Sequence, residues 1–183
     1  MTGRLTLICC GATAALRRNA FHRDEPLEQK SLSQAQRLAT QIPGADRVWH
    51  GPEFRVLETA NALGLMGEPV AALADQNFGF WAGRRLAELD PAELATWMSD
   101  PDVAPHGGET LNDLRRRIAA LLKENLGLSG HTLAITHPAV IRAAVCEVLG
   151  APSQAFRAVD VQPLSLTHFT SDGRRWALRI VSG

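Results

Sequence analysis

Leu5-Thr6-Leu7-Ile8-Cys9-Cys10-Gly11-Ala12-Thr13 decides the fold of this chain. An apolar run of strand type stops there at two adjacent cysteines and a glycine. A buried strand running into a Gly turn is where open α/β sheets place their chemistry, at the strand's carboxyl end. One other stretch has the same form: Leu133-Ala134-Ile135-Thr136-His137-Pro138, an apolar strand ending in a histidine, with a proline opening a helix. Two strand ends, each presenting a polarisable or titratable side chain, read as the two sides of one pocket.

Outward from these two stretches, helical and strand patterns alternate. Ala12 to Arg18 starts a helix, and Leu32, Ala35, Leu38, Ala39 and Ile42 form one helical face with Ser31 as its N-cap. Arg47-Val48-Trp49 is a short strand; Gly51-Pro52 then turns into a helix carrying Phe54, Leu57 and Leu63, with Gly64 at its end. Asn77 to Gly83 is an aromatic, ordered loop. Asp90-Pro91-Ala92-Glu93 starts another helix by its cap, its proline and its N3 acid. Glu109 opens the clearest amphipathic helix, through Leu111, Leu114, Ile118, Leu121 and Leu122, with Arg115 to Arg117 on its wet side. A helix from Pro138 to Leu149 stops at Gly150. Two alternating runs, Leu164/Leu166/His168 and Trp176/Leu178/Ile180, flank Ser171-Asp172-Gly173 and read as a hairpin. The expected architecture is a three-layer α/β/α sandwich with a mostly parallel central sheet and an antiparallel edge, in one domain over residues 1–183.

Nineteen basic and nineteen acidic residues give zero formal net charge, so no global field draws in nucleic acid or an anionic membrane. Three cysteines, two of them adjacent, are too few for a disulfide framework and fit a reducing, cytoplasmic home. Leu5 to Leu16 reads as a buried strand and turn rather than a signal segment, because charges resume at Arg17 with no small-residue cleavage site. No stretch reaches the ~18 apolar residues of a membrane span.

The order of the motifs resembles the histidine phosphatase superfamily, the phosphoglycerate-mutase-like phosphatases, from the first strand to at least residue 150. Asp24-Glu25-Pro26-Leu27 with Gln34-Ala35 and Leu38-Ala39 is similar to that family's D-x-P-L…Q-A-x-x-L-A. Pro52-x-x-Arg55-x-x-x-Thr59-Ala60 resembles its S-P-x-x-R-x-x-x-T-A, with Gly51 in the serine's place. Asp75-Gln76-Asn77-Phe78-Gly79-Phe80-Trp81-Ala82-Gly83 matches E-x-x-F-G-x-W-x-G with Asp for Glu; Gly107-Gly108-Glu109-Thr110 matches G-G-E-S/T; Thr136-His137 matches the late T-H. The resemblance implies a histidine that attacks phosphorus, two arginines and a second histidine around the phosphoryl oxygens, and a carboxylic acid that protonates the leaving oxygen. It implies neither metal nor cofactor.

At the centre the chain departs from that pattern. The family's Arg-His-Gly falls on Cys9-Cys10-Gly11, so the nucleophile's position holds Cys10 and the first arginine's holds Cys9. The resemblance makes Cys10, His137 and the shortened acid Asp75 the catalytic candidates. Arg55, His137, Gly11 and Cys9 are the phosphate-binding ones. Loss of one donor to a developing charge costs ~10²–10³ in rate, and loss of the nucleophile of a concerted group ~10⁶. The first expectation is therefore a catalytically degenerate member that binds a phosphorylated small molecule, a phosphate or sulfate anion, or a protein partner. The second is a phosphomonoesterase with Cys10 as nucleophile, although Cys10 to Arg17 is one residue too long for the C-x5-R loop of cysteine phosphatases. The third is a thiol redox or metal-binding module. Cys10, His137 and Asp75 offer a sulfur, a nitrogen and an oxygen to zinc, but no C-x2-C or H-x3-H spacing supports it. Arg17, Arg18 and His22 are spare positive charges near the first strand.

Overall fold

In the computed structural model, which describes residues 2–180, the central strand is β1, Gly3–Cys9. It lies between β4, Gly130–Thr136, which runs parallel to it, and β5, Leu166–Ser171, which runs antiparallel. The other strands are β2, Arg47–His50, β3, Glu68–Pro69, and β6, Trp176–Arg179. They complete a six-stranded sheet in the order β3-β2-β4-β1-β5-β6. The β5–β6 hairpin supplies the antiparallel edge that the two alternating runs predict.

Burial on both faces explains why β1 reads as a nearly unbroken apolar run. Its alternate residues serve two cores. Leu5, Leu7 and Cys9 pack with Leu114, Ile118 and Leu122 of helix α5, Leu111–Glu124, and with Val140, Ile141 and Ala144 of α6, Pro138–Leu149. Ile8 and Cys10 pack with Ala35 of α2, Gln29–Leu38, and with Val56 and Ala60 of α3, Phe54–Ala62. The result is the three-layer α/β/α sandwich. Short α1, Ala14–Arg17, and α4, Pro91–Ser99, lie outside those two layers' cores. A separate aromatic cluster of Phe21, Phe78, Trp81, Leu94 and Trp97 holds the Asn77–Gly83 loop in place.

Three local expectations need correction. The second helix starts at Gln29 with Glu28 as its cap, and Ser31 is buried inside it. The exposed, polar first turn hid that start from a reading based on apolar spacing. The long helix is capped by Thr110, whose side chain and Asp113 exchange hydrogen bonds, and not started by Glu109. Of the three arginines on it, only Arg116 is on the wet side. Arg115 binds Glu147, Ser153 and the Ala151 carbonyl; Arg117 binds Glu109 and the Ala72 and Ala74 carbonyls. Asp90 caps α4 as expected, accepting from the amides of Ala92 and Glu93, and Gly150 ends α6 with φ +59°.

Register places the site. Cys9 pairs with Thr136 and His50 with Ile135, so β1, β4 and β2 end at one level. The next residues are therefore neighbours: the Cys10 amide donates to the Thr136 carbonyl at 2.7 Å, and the Gly51 amide to Ile135 at 2.9 Å.

Candidate active site

Three strand ends deliver Cys10, His137 and the Gly51-Pro52-Glu53 turn to one place. His137 is the N-cap of α6 and is fully buried. Its Nδ1 lies 3.7 Å from the Cys10 sulfur and 3.6 Å from Asp75 Oδ2, and its Nε2–H donates to Glu53 Oε2 at 2.7 Å. Arg55, one turn into α3 and 3% exposed, donates from Nη2 to Asp75 Oδ2 at 2.6 Å and from Nη1 to the Arg23 carbonyl at 2.9 Å. Its Nε is buried without a partner among the described residues. Glu53 also accepts the Asp75 amide at 2.8 Å, so one carboxylate braces both the histidine and the acid.

The charges follow from this packing. Burial works against a charged His137, but Asp75, Cys10 and Glu53 around it outweigh that and push its pKa up to about 10. Burial likewise opposes ionisation of Glu53, yet the His137 hydrogen bond and charge bring it down to about 2. Cys10 is held well below the ordinary thiol range by a hydrogen bond from the Cys9 thiol, and then by His137 and Arg55, against the effect of burial. Cys9 moves the other way, raised by Cys10 and by burial. Two buried cations thus face two carboxylates, with a thiolate between them.

Sequence reasoning placed Cys10, His137, Arg55 and Asp75, and the structure brings all four together. Gly11 adjoins them for a packing reason: its amide donates to Thr59 Oγ1 at 3.0 Å, and a Cβ there would lie 2.5 Å from Ser31 Oγ. That same hydroxyl accepts the Ala12 amide at 2.8 Å. Gly11→Ala is expected to cost about 1–3 kcal/mol through this overpacking. It should lower the thermal midpoint by roughly 2–4 °C per kcal/mol, which a melting curve against the parent checks. Cys9 is fully buried in the core beneath α5 and α6.

The spare charges stay away from the site. Arg17 pairs with Glu28, Arg18 turns back to the Ala14 carbonyl, and His22 binds Glu25 and Thr13. Glu109 lines a cleft of about 410 Å³ with Asp75, Asn77, Gly107, Gly108 and Arg117, and Asp75 is the wall this cleft shares with the buried cluster. Among the described residues no group of three His, Cys, Asp or Glu side chains is arranged to hold a metal ion. The reading from sequence missed Glu53. It occupies an unspecified position of the Pro52-x-x-Arg55 motif, and its signal was a carboxylate two residues ahead of an arginine at a helix start.

A doubly covered, mostly parallel sheet, with side chains gathered at the carboxyl ends of its first and fourth strands, defines the phosphoglycerate-mutase-like fold. The chain belongs to the histidine phosphatase superfamily (branch 1), whose family model matches residues 5–182. Glucosyl-3-phosphoglycerate phosphatase of Mycolicibacterium vanbaalenii is 32% identical over 54% of this chain and 51% of its own length. A bifunctional protein of Mycobacterium tuberculosis is 31% identical over 55% of this chain and 30% of its own, so the chain spans about half or less of these curated relatives. Among solved structures, a mutant of Entamoeba histolytica phosphoserine phosphatase in complex with phosphoserine superposes with a TM-score of 0.84 at 21% identity, covering 96% of this chain and 94% of that one. Mycobacterial glucosyl-3-phosphoglycerate phosphatase with VO3 gives 0.83 at 23% identity, covering 97% of both. No helix among the described residues is long and apolar enough to cross a membrane.

Proposed function

We propose that this chain is a catalytically degenerate histidine phosphatase. Its site no longer runs the phosphohistidine route; it holds a small phosphorylated molecule, or a phosphate or sulfate anion, without turning it over. The observation that carries the reading is the pairing of Arg55 with Asp75 and of His137 with Glu53, around a thiol in the nucleophile's position. In the working pattern that the motifs imply, two arginines and two histidines meet the phosphoryl group. Here an incoming phosphomonoester has two cations to bind, and each already has a carboxylate. The ligand must displace Asp75 or Glu53, so binding is weak. Arg55 Nε, buried and unpartnered, is the donor left over for an acceptor oxygen.

Similarity to a glucosyl-3-phosphoglycerate phosphatase, and neighbours solved with phosphoserine and with 3-phosphoglyceric acid, support a small phosphomonoester as the ligand class. One domain over residues 1–183, in a reducing cytoplasmic setting, belongs to the same proposal; three unpaired cysteines support the setting. The test is aryl phosphate hydrolysis beside calorimetric titration with inorganic phosphate and phosphoserine. The expected result is no turnover above buffer and a Kd on the order of 1 mM, about −4 kcal/mol. Turnover that Cys10→Ser abolishes would replace this reading with a cysteine phosphatase.

A further inference from the structure

We infer that Cys10 is a peroxidatic thiol, reacting with small uncharged hydroperoxides with His137 as its proton donor. The inference rests on the reading that the phosphohistidine route is gone, and it names the chemistry that occupies the same site.

Four features of the geometry converge on it. The Cys10 sulfur lies 3.7 Å from His137 Nδ1, within reach of a thiolate–imidazolium pair. The far side of that ring is fixed by Glu53 at 2.7 Å, completing the arrangement of nucleophile, base and orienting acid that activates a thiol. Arg55 lies close enough for its charge to act on Cys10, and it retains one buried N–H with no acceptor among the described residues. Finally, the two cations are already matched by two carboxylates and the Cys10 thiolate. An anionic substrate must break an ion pair to enter, whereas a neutral one need not. Cys10 is 6% exposed, so a small oxidant meets less obstruction there than a bulky one.

The step balances as follows. The thiolate attacks the terminal oxygen of the hydroperoxide; the S–O bond forms as the O–O bond breaks. The electron pair of the broken bond leaves on the second oxygen, which takes a proton from His137 and departs as water or an alcohol. Sulfur is oxidised by two electrons to the sulfenic acid, and the peroxide is reduced. A small external thiol then condenses with the sulfenic acid to a mixed disulfide and water, and a second such thiol restores Cys10.

The groups that face the thiol, and so set the pH profile, are Cys9 on β1, His137 at the start of α6, Arg55 on α3 and Asp75 on the following loop. The experiment treats the full chain with hydrogen peroxide across pH 5.5–8.5, quenches with catalase, unfolds each sample in dimedone to trap sulfenic acid, and maps the label by mass spectrometry. Cys10 is expected to be labelled at least tenfold faster than free cysteine at pH 6, because a free thiol there is mostly protonated. Glu53→Gln should move the Cys10 profile toward alkaline pH, a change that a purely structural glutamate would not produce. Labelling of Cys10 no faster than free cysteine, or label confined to Cys9 or Cys146, would overturn the inference and leave the degenerate reading intact. Cys10-dependent aryl phosphate turnover would overturn that reading instead, whatever the peroxide result.

Discussion

The double variant Cys9→Arg/Cys10→His is expected to hydrolyse an aryl phosphate that the parent chain leaves untouched. On the proposed reading the scaffold for the reaction survives in Arg55, His137 and Asp75, which the structure holds in one cluster. What the resemblance finds missing is the nucleophile and one clamp. Cys10→His alone supplies the nucleophile, and its product is a phosphohistidine that can be trapped in the absence of water attack. Adding the arginine should raise kcat/KM by a further ~10²–10³, the usual worth of one donor to a developing charge. Two obstacles are specific to this chain. Cys9 is fully buried, so an arginine there needs the Asp75 carboxylate as its partner, in competition with Arg55. Glu53 meanwhile holds His137 Nε2. Adding Glu53→Leu frees that ring for the phosphoryl group, and the triple variant should exceed the double. If the triple variant folds, by its melting curve, and is still silent, then the cluster has lost more than its nucleophile and one clamp.

The second large effect is on stability, and it depends on pH. The folded pKa of His137, about 10, lies above its ordinary 6.5. Its contribution is therefore complete below pH 6.5 and is lost as pH rises toward 10. Glu53 behaves in the opposite sense. Its folded pKa of about 2 lies below the ordinary 4.5, so its contribution is complete above pH 4.5 and is lost as pH falls toward 2. Cys10, held low, opposes His137: its contribution grows as pH rises to the ordinary thiol value of 9.0. The two cancel between pH 6.5 and 9, and the thermal midpoint should be highest there. The alkaline limb therefore begins only above about pH 9, where loss of the His137 charge is no longer offset by Cys10; on the acid side the loss of Cys10 adds to that of Glu53, whose own share is reduced because it is partly open to solvent, which screens it. His137→Gln should flatten the alkaline limb while lowering the whole curve. Arg55→Met removes the nearer of the two cations on Asp75 and leaves His137 at 3.6 Å, so its cost should fall below the about 3–5 kcal/mol of a fully stranded buried charge. Melting curves across pH check all of this; an alkaline limb that persists in His137→Gln would mean that another group drives it.

Much of this molecule was legible before its coordinates, and the reasons are local. A run buried on both faces must be apolar throughout, so β1 and β4 stand out in any reading of the chain. Prolines and glycines at helix ends act through their own backbones, so Asp90-Pro91, Pro138 and Gly150 mark their boundaries unaided. The arginines of α5 were misjudged because spacing along one helix says nothing of its neighbours. Glu147, the Ala72 and Ala74 carbonyls and Glu109 come from other segments, and they turn two apparently solvated side chains into struts. Ser31 was misjudged for the same reason, its partner being the Ala12 amide.

By itself, then, the sequence determined the layered α/β fold and the two strand ends where chemistry gathers, and it put Cys10 where the resemblance implies a nucleophilic histidine. Those are properties of single segments, carried by periodicity, turn residues and the identity of one side chain. The electrical character of the site was decided only by tertiary structure. Glu53 and His137 are eighty-four positions apart in sequence, and nothing in either stretch announces that their side chains meet at 2.7 Å. A charge acts through space rather than along the chain. Whether Arg55 and His137 await a phosphate or are already held by Asp75 and Glu53 therefore depends on the level at which three strands end.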